Sequence, residues 1–313
     1  MRDDGLSFEA EVPPGGYHWW YVDAISDDRR QALSVIAFIG SVFSPYYAWS
    51  GRSRPRNHVA INVALYTPRR CLWAMTERGE AALDHGPDHF QVGRSRLDWD
   101  GTKLTLSLDE ITAPIPQRLK GTVTVQAAQF QSRQHVLDAA GRHRWGPIAP
   151  CARIEVDMLS PATRWSGHGY VDNNGGDEPM EQGFQRWDWS RAALPDGDTA
   201  ILYNVTRRDG TAQTLGLRYS AKGEEMLFEA PPEVSLPRTF WRLERRTQTD
   251  RGAPAKLLRT VEDSPFYARS VLSAPLLGEA VTAMHESLDL DRFRSPVVRA
   301  LLPWRMPRGW WWG

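Results

Sequence analysis

Alternating apolar and polar residues on either side of Asp-Gly turns constrain this chain more than any other feature. Lys103 to Ile111 reads KLTLSLDEI, with period two, directly after Asp100-Gly101. Such a pattern after such a turn is a β-hairpin signature. Phe90 to Trp99 supplies the other arm. The same grammar returns with Ala200 to Thr206, then Asp209-Gly210, then Thr214 to Tyr219. His58 to Tyr66, Gly121 to Phe130, Ala152 to Met158, Glu225 to Glu229 and Arg238 to Arg245 are further strand candidates. With 25 glycines and 22 prolines punctuating 313 residues, long helices are disfavoured. The pattern predicts an all-β protein of antiparallel sandwiches or barrels. Helical spacing is expected only near the end, over Leu276 to Leu288 and Pro296 to Leu302.

Charge and cysteine use narrow the function classes. Lys and Arg number 38 and Asp and Glu 38, so no basic surplus exists to neutralise phosphates, and nucleic acid is not expected as a partner. Cys71 and Cys151 stand far apart with no CxxC spacing, which fits a reducing compartment. The start, MRDDGLSFEAEVPPGG, is acidic and lacks an apolar h-region, so no signal peptide is expected. The longest apolar run, Ala32 to Phe43, is too short for a membrane span of about twenty residues, so a buried strand or short helix is expected there. A cytoplasmic location is the expectation. Tryptophan, at 14, outnumbers phenylalanine and tyrosine, which suits either aromatic core plugs or a pocket for a large apolar or cationic species. From Asp291 onward, arginines interleave with Phe293, Trp304 and Trp310 to Trp312. That composition fits either a membrane-surface contact or a tail packed on its own protein.

No HExxH, GxSxG, P-loop or GxGxxG signature occurs. Asp84-His-Gly-Pro-Asp-His89 resembles a metal site, but Pro87 prevents a helix from aligning its histidines, and no metal is expected. Asp172-Asn-Asn-Gly-Gly-Asp-Glu178 lacks EF-hand spacing. Trp20-Tyr-Val-Asp23 is echoed 149 positions later by Gly169-Tyr-Val-Asp172, which suggests two related β domains, 1–150 and 151–313. The richest stretch is Arg142 to Trp189. There Gly167-His-Gly-Tyr-Val-Asp172 would align His168, Tyr170 and Asp172 on one strand face, with two glycines leaving it open to a ligand.

GGYHWWYVDA, IGSVFSPYYAWSGR, PRNHVAINVALY, HRWGPIAPCARIEV, RWSGHGYVDNNGGDEP and RWDWSRA together resemble the carotenoid 1,2-hydratases, also called hydroxyneurosporene synthases. The resemblance runs from about Gly15 to Trp241 and more loosely to the tail. It implies two lipocalin-like β domains with a short helical C-terminal segment. It also implies cofactor-free addition of water to the terminal 1,2 double bond of an acyclic carotene, in the carotenoid biosynthesis of photosynthetic bacteria. The family's His-x-Trp pair falls on His143 and Trp145, and its Tyr-x-Asp pair on Tyr170 and Asp172.

Chemistry suggests the roles. Hydrating an unactivated alkene needs an acid that is protonated at rest, and a carboxyl group buried among apolar side chains has its charged form disfavoured. Asp172 is the expected acid. Trp145 and Tyr170 offer π faces to a cation, and His143, neutral, is expected to hold the attacking water or take its proton. Asp23 is a weaker candidate acid. Trp20, Tyr21, His168, Trp187 and Trp189 are expected around the substrate, with ordinary packing as the competing role. The expected partners are the carotene, water and the surface of the inner or intracytoplasmic membrane. A cyclase or pericyclic catalyst on the same fold, or a carotenoid carrier, is the alternative function.

Overall fold

The structure, a computed structural model, describes residues 5–309. It divides into two compact β units: the described residues up to Pro179 with those from Ala300 onward, and Met180–Arg299.

The first unit is built on one antiparallel sheet. Its strands are β1 (Tyr17–Ser26), β2 (Ala32–Ile39), β3 (Val59–Tyr66), β4 (Cys71–Met75), β5 (Leu83–Gly86), β6 (His89–Val92), β7 (Ser95–Trp99), β8 (Lys103–Ile111), β9 (Arg118–Gln126), β10 (His135–Val136), β11 (His143–Ser160) and β12 (Ala162–Gly176). The spatial order is β4-β3-β2-β1-β12-β11-β9-β8-β7-β6-β5, with β10 added to β11. In β8, Leu104, Leu106 and Leu108 point inward while the residues between them do not, as the alternation predicts. The Ala32–Ile39 run is a strand, and β3 beside it is buried at every position, so both read as apolar runs broken only by Ser34 and Asn62. Val59, Ile61 and Leu65 of β3 share one apolar cluster with Phe90 and Val92 of β6 and the leucines of β8. Strands far apart in the sheet order therefore meet, and the sheet curls around its core. Each fully buried Val, Leu, Ile or Phe there stabilises the fold by about 1.5–3 kcal/mol.

A boundary at residue 150 does not hold, because that position lies inside β11. β11 and β12 form one long hairpin, and β12 sits between β11 and β1 in the middle of the sheet. The Tyr-Val-Asp echo is accordingly not a pair of equivalent sites in two domains. Its two copies are hydrogen-bonded neighbours in one sheet.

The second unit contains β13 (Phe184–Ala193), β14 (Thr199–Arg207), β15 (Ala212–Tyr219), β16 (Glu225–Leu227), β17 (Glu233–Leu236), β18 (Arg245–Gln248), β19 (Lys256–Asp263), β20 (Tyr267–Leu276) and β21 (Glu279–Asp289). Seven of them form a sheet in the order β16-β15-β14-β13-β21-β20-β19, and β17 pairs with β18. Two expectations fail here. Leu276 to Leu288 is not helical: Leu277 and Gly278, both at positive φ, turn β20 into β21. β21 is flanked by β20 and β13 and buried on both faces, so its apolar residues do not alternate and imitate helical spacing. Arg238 to Arg245 is mostly the loop between β17 and β18. Helix does form at Leu290–Phe293, capped by the Asp289 carboxylate on the Arg292 N–H, and at Pro296–Leu301.

The described part of the C-terminal segment packs on the first unit. The Glu77 N–H donates to the Pro307 carbonyl, and the Gly309 N–H to the Glu77 carbonyl. Arg308 pairs with the buried Glu77 carboxylate and bonds the Asn57 carbonyl, while Arg305 stacks over Trp73 at 4.7 Å. Trp310 to Trp312 lie outside the described residues. No helix among the described residues is long and apolar enough to cross a membrane.

Candidate active site

Register brings the site together. Across β1 and β12, Tyr21 faces Asp172 and Asp23 faces Tyr170. Across β11 and β12, Pro147 faces Asp172 and Trp145 faces Asn174. Val22 and Val171, the intervening residues, enter the apolar core, so Tyr21, Asp23, Tyr170 and Asp172 share the opposite face. All four are buried, as is Trp145. Oδ2 of Asp172 accepts the Trp145 indole N–H at 2.8 Å and the Tyr170 hydroxyl at 2.9 Å. The Tyr21 hydroxyl donates to Oδ2 of Asp23 at 3.0 Å, and the Tyr21 and Tyr170 rings meet edge to face at 6.3 Å.

The glycines of this segment serve packing within the chain rather than access for a ligand. A Cβ on Gly169 would stand 2.2 Å from the Ile154 side chain, and one on Gly167 2.0 Å from the Ile25 carbonyl oxygen. On Gly176 it would collide with Tyr17 and His143, two side chains that bond each other there.

His143 is fully buried. Its Nδ1 lies 2.9 Å from the Tyr17 hydroxyl and its Nε2 3.3 Å from Glu178. Burial pushes its pKa below the ordinary histidine value, against the raising effect of Glu178 and Asp138. A carboxylate only accepts, so the neutral ring carries its proton on Nε2 toward Glu178 and accepts the Tyr17 hydroxyl at Nδ1. His143 faces Gly176, four positions along β12 from Asp172, or about 13 Å of strand. Trp145 stands between them in register.

Tyr21, Trp145, Tyr170 and Asp172 are thus brought together, with His143 farther along the same face. His168, four positions along β12 from Asp172 in the direction away from His143, is exposed and does not join the buried cluster. Trp20 points to the opposite face: it packs against Phe8 and Phe90 in the core and donates its indole N–H to the Ser7 carbonyl. Its neighbour Trp19 alternates onto the Tyr21 face and stacks on Tyr17 at 5.1 Å. Trp187 and Trp189 are buried in the second unit, where Trp187 packs on Phe184 and Tyr203. Tyr17, Trp19 and Glu178 escaped the sequence reading. Stepping back by twos from Asp23 gives Tyr21, Trp19 and Tyr17, a signal available in GGYHWWYVD. Glu178 carried none beyond its place in the acidic turn.

The family model described as carotenoid hydratase CrtC matches residues 35–313. The chain belongs to that family. Membership makes it an enzyme of the hydro-lyase type, adding water to a carotenoid. Among similar proteins is the acyclic carotenoid 1,2-hydratase of Thiocapsa roseopersicina, 54% identical over 308 residues, covering 97% of this chain and 76% of that one. The acyclic carotenoid 1,2-hydratase of Rubrivivax gelatinosus is 51% identical, covering 96% and 75%. Among solved structures, that of a putative AttH from Nitrosomonas europaea matches with a TM-score of 0.61 at 14% identity, covering 92% of this chain and 98% of that one. At that identity the likeness concerns the fold, which is lipocalin-like.

Proposed function

We propose that the chain hydrates the terminal 1,2 double bond of acyclic carotenes, such as neurosporene, lycopene and their derivatives, to the tertiary 1-hydroxy carotenoid without a cofactor. The observation that carries this reading is a buried carboxyl group, Asp172, held by two donors on one oxygen. With both lone pairs of Oδ2 engaged, a proton on the group belongs on Oδ1. In the proposed reaction the Oδ1–H bond breaks as the π electrons form a C–H bond at C2, leaving a tertiary cation at C1. Water then bonds to C1 and loses a proton, and the acid is restored. The addition is redox-neutral, so acid, base and water suffice. Trp145 and Tyr170 act twice, orienting the carboxyl group and presenting π faces worth about 0.5–2 kcal/mol each to the cation.

Purified protein incubated anaerobically with lycopene or neurosporene, without additives, should yield product heavier by one water. Product of unchanged mass would favour a cyclase or pericyclic catalyst, and bound but unchanged carotene a carrier.

We further propose a cytoplasmic enzyme that works at a membrane surface, because an acyclic C40 chain is about as long as the hydrocarbon core is thick, roughly 30 Å. Exposed Phe240 and Trp241 on the β17–β18 loop, and Trp304 near the C-terminus, suit such contact. Deleting the tail is a poor test, since Arg308 helps hold the first unit together. Phe240→Ser with Trp241→Ser, and separately Trp304→Ser, should weaken sedimentation with phospholipid vesicles. Undiminished binding by both variants would remove the proposal.

A further inference from the structure

The acid of the proposed reaction needs a counterpart that takes the proton released when water bonds to the cation. His143 is poorly placed for it. It lies four register positions from Asp172, with its Nε2 proton directed at Glu178 and its Nδ1 at the Tyr17 hydroxyl.

Asp23 is nearer. It sits on the same sheet face, with no exposed surface, on the strand paired with that of Asp172. The two Tyr-x-Asp segments run antiparallel with Tyr21 facing Asp172 and Asp23 facing Tyr170, so they are related by a local two-fold. Each tyrosine hydroxyl donates to the aspartate two residues on, at 3.0 and 2.9 Å. Asp23 and Asp172 are diagonal neighbours across the pair, which places their Cβ atoms at about 7 Å or less. That spacing leaves room for a water between two carboxyl groups. One carboxylic acid protonating the substrate while a second carboxylate activates water across a gap is an established division of labour.

We propose that Asp23 is the base of the hydration, accepting the proton of the attacking water while Asp172 supplies the proton that reaches carbon. The inference rests on the reading of Asp172 as the acid. The proposed reaction requires that the pair hold a single proton at rest, and neighbouring carboxyl groups in a buried site do not readily ionise together. When Asp172 gives its proton to C2 and Asp23 receives one from water, the pair again holds one. Transfer between the two, through solvent or the product hydroxyl, resets the site. Ionisable neighbours on this face include Tyr21 on the same strand, Tyr170 with Asp172 on β12, and His168, the other diagonal neighbour of Asp23 on β12; Ser34 faces Asp23 from β2.

The test is the dependence of kcat on pH for the full chain acting on lycopene in detergent. Wild type should be bell-shaped, with activity lost at low pH as the base becomes protonated and at high pH as the acid ionises. Asp23→Asn should lower kcat by about a hundredfold. It should also abolish the low-pH limb and leave the carotene absorption shift on binding intact, while Asp23→Glu recovers part of the activity. Tyr21→Phe, which keeps the ring and removes the donor, should move the low-pH limb upward; it decides the matter if Asp23→Asn does not fold. An Asp23→Asn protein within about threefold of wild type, or a low-pH limb unmoved by Asp23→Asn and Tyr21→Phe alike, overturns the inference. If Asp172→Asn is inactive while Asp23→Asn is active, only the base has been misassigned. If Asp172→Asn itself remains active, the reading beneath it falls.

Discussion

Asp172→Asn is expected to reduce turnover by at least about a thousandfold while the protein still folds and binds carotene. General acids contribute typically 10²–10⁴ in rate, and an unactivated alkene has no other route to the cation. The substitution suits the question because asparagine keeps the shape and a carbonyl oxygen. That oxygen can still accept the Trp145 indole N–H and the Tyr170 hydroxyl, so the buried donors remain satisfied. The effect should fall on kcat, with the absorption shift of bound carotene unchanged. Trp145→Phe, which removes one of those donors, is the milder comparison. Substantial hydration by the Asn variant would show that the proton comes from elsewhere.

Arg78→Met is expected to cost the first unit about 3–5 kcal/mol of stability without touching the site. Glu110 on β8 is buried, and its carboxylate is gripped by Arg78 at 3.4 and 3.0 Å and by the Ser95 hydroxyl at 2.8 Å. Burial pushes the Glu110 pKa above its ordinary value, and the adjacent guanidinium pulls it back. Removing Arg78 leaves a buried carboxylate without that partner, a larger loss than the pair itself contributes. The urea midpoint should drop sharply for Arg78→Met and recover in large part when Glu110→Gln is added. A change below about 1 kcal/mol would mean that water or a rearranged neighbour replaces the guanidinium.

What was legible in the sequence was mostly local. The Asp100-Gly101 and Asp209-Gly210 turns set their hairpins because the turn and the alternation beside it lie within a few residues. The family resemblance supplied His143, Trp145, Tyr170 and Asp172, and alternation alone put Tyr170 and Asp172 on one face. Pairing between distant segments was not legible. The repeated Tyr-Val-Asp looked like duplicated domains, whereas the chain returns after an offset of 149 positions so that β12 lies against β1. The consecutive tryptophans in HWWY are told apart only by counting in twos from Asp23, because a shift of one residue exchanges the two faces. Trp19 rather than Trp20 shares the face of Tyr21. Burial on both faces erased the alternation of β21, and chemistry alone ranked Asp23 low because its nearness to Asp172 exists only in the folded sheet.

Turnover in D₂O tests the central claim most directly. Lycopene incubated anaerobically with the purified protein, without cofactor, should become a tertiary alcohol that retains one carbon-bound deuterium at C2 after exchange of its hydroxyl. Asp172→Asn should form no such product. An alcohol lacking carbon-bound deuterium, or the same labelled alcohol from Asp172→Asn at the wild-type rate, would contradict protonation of the alkene by this carboxyl group.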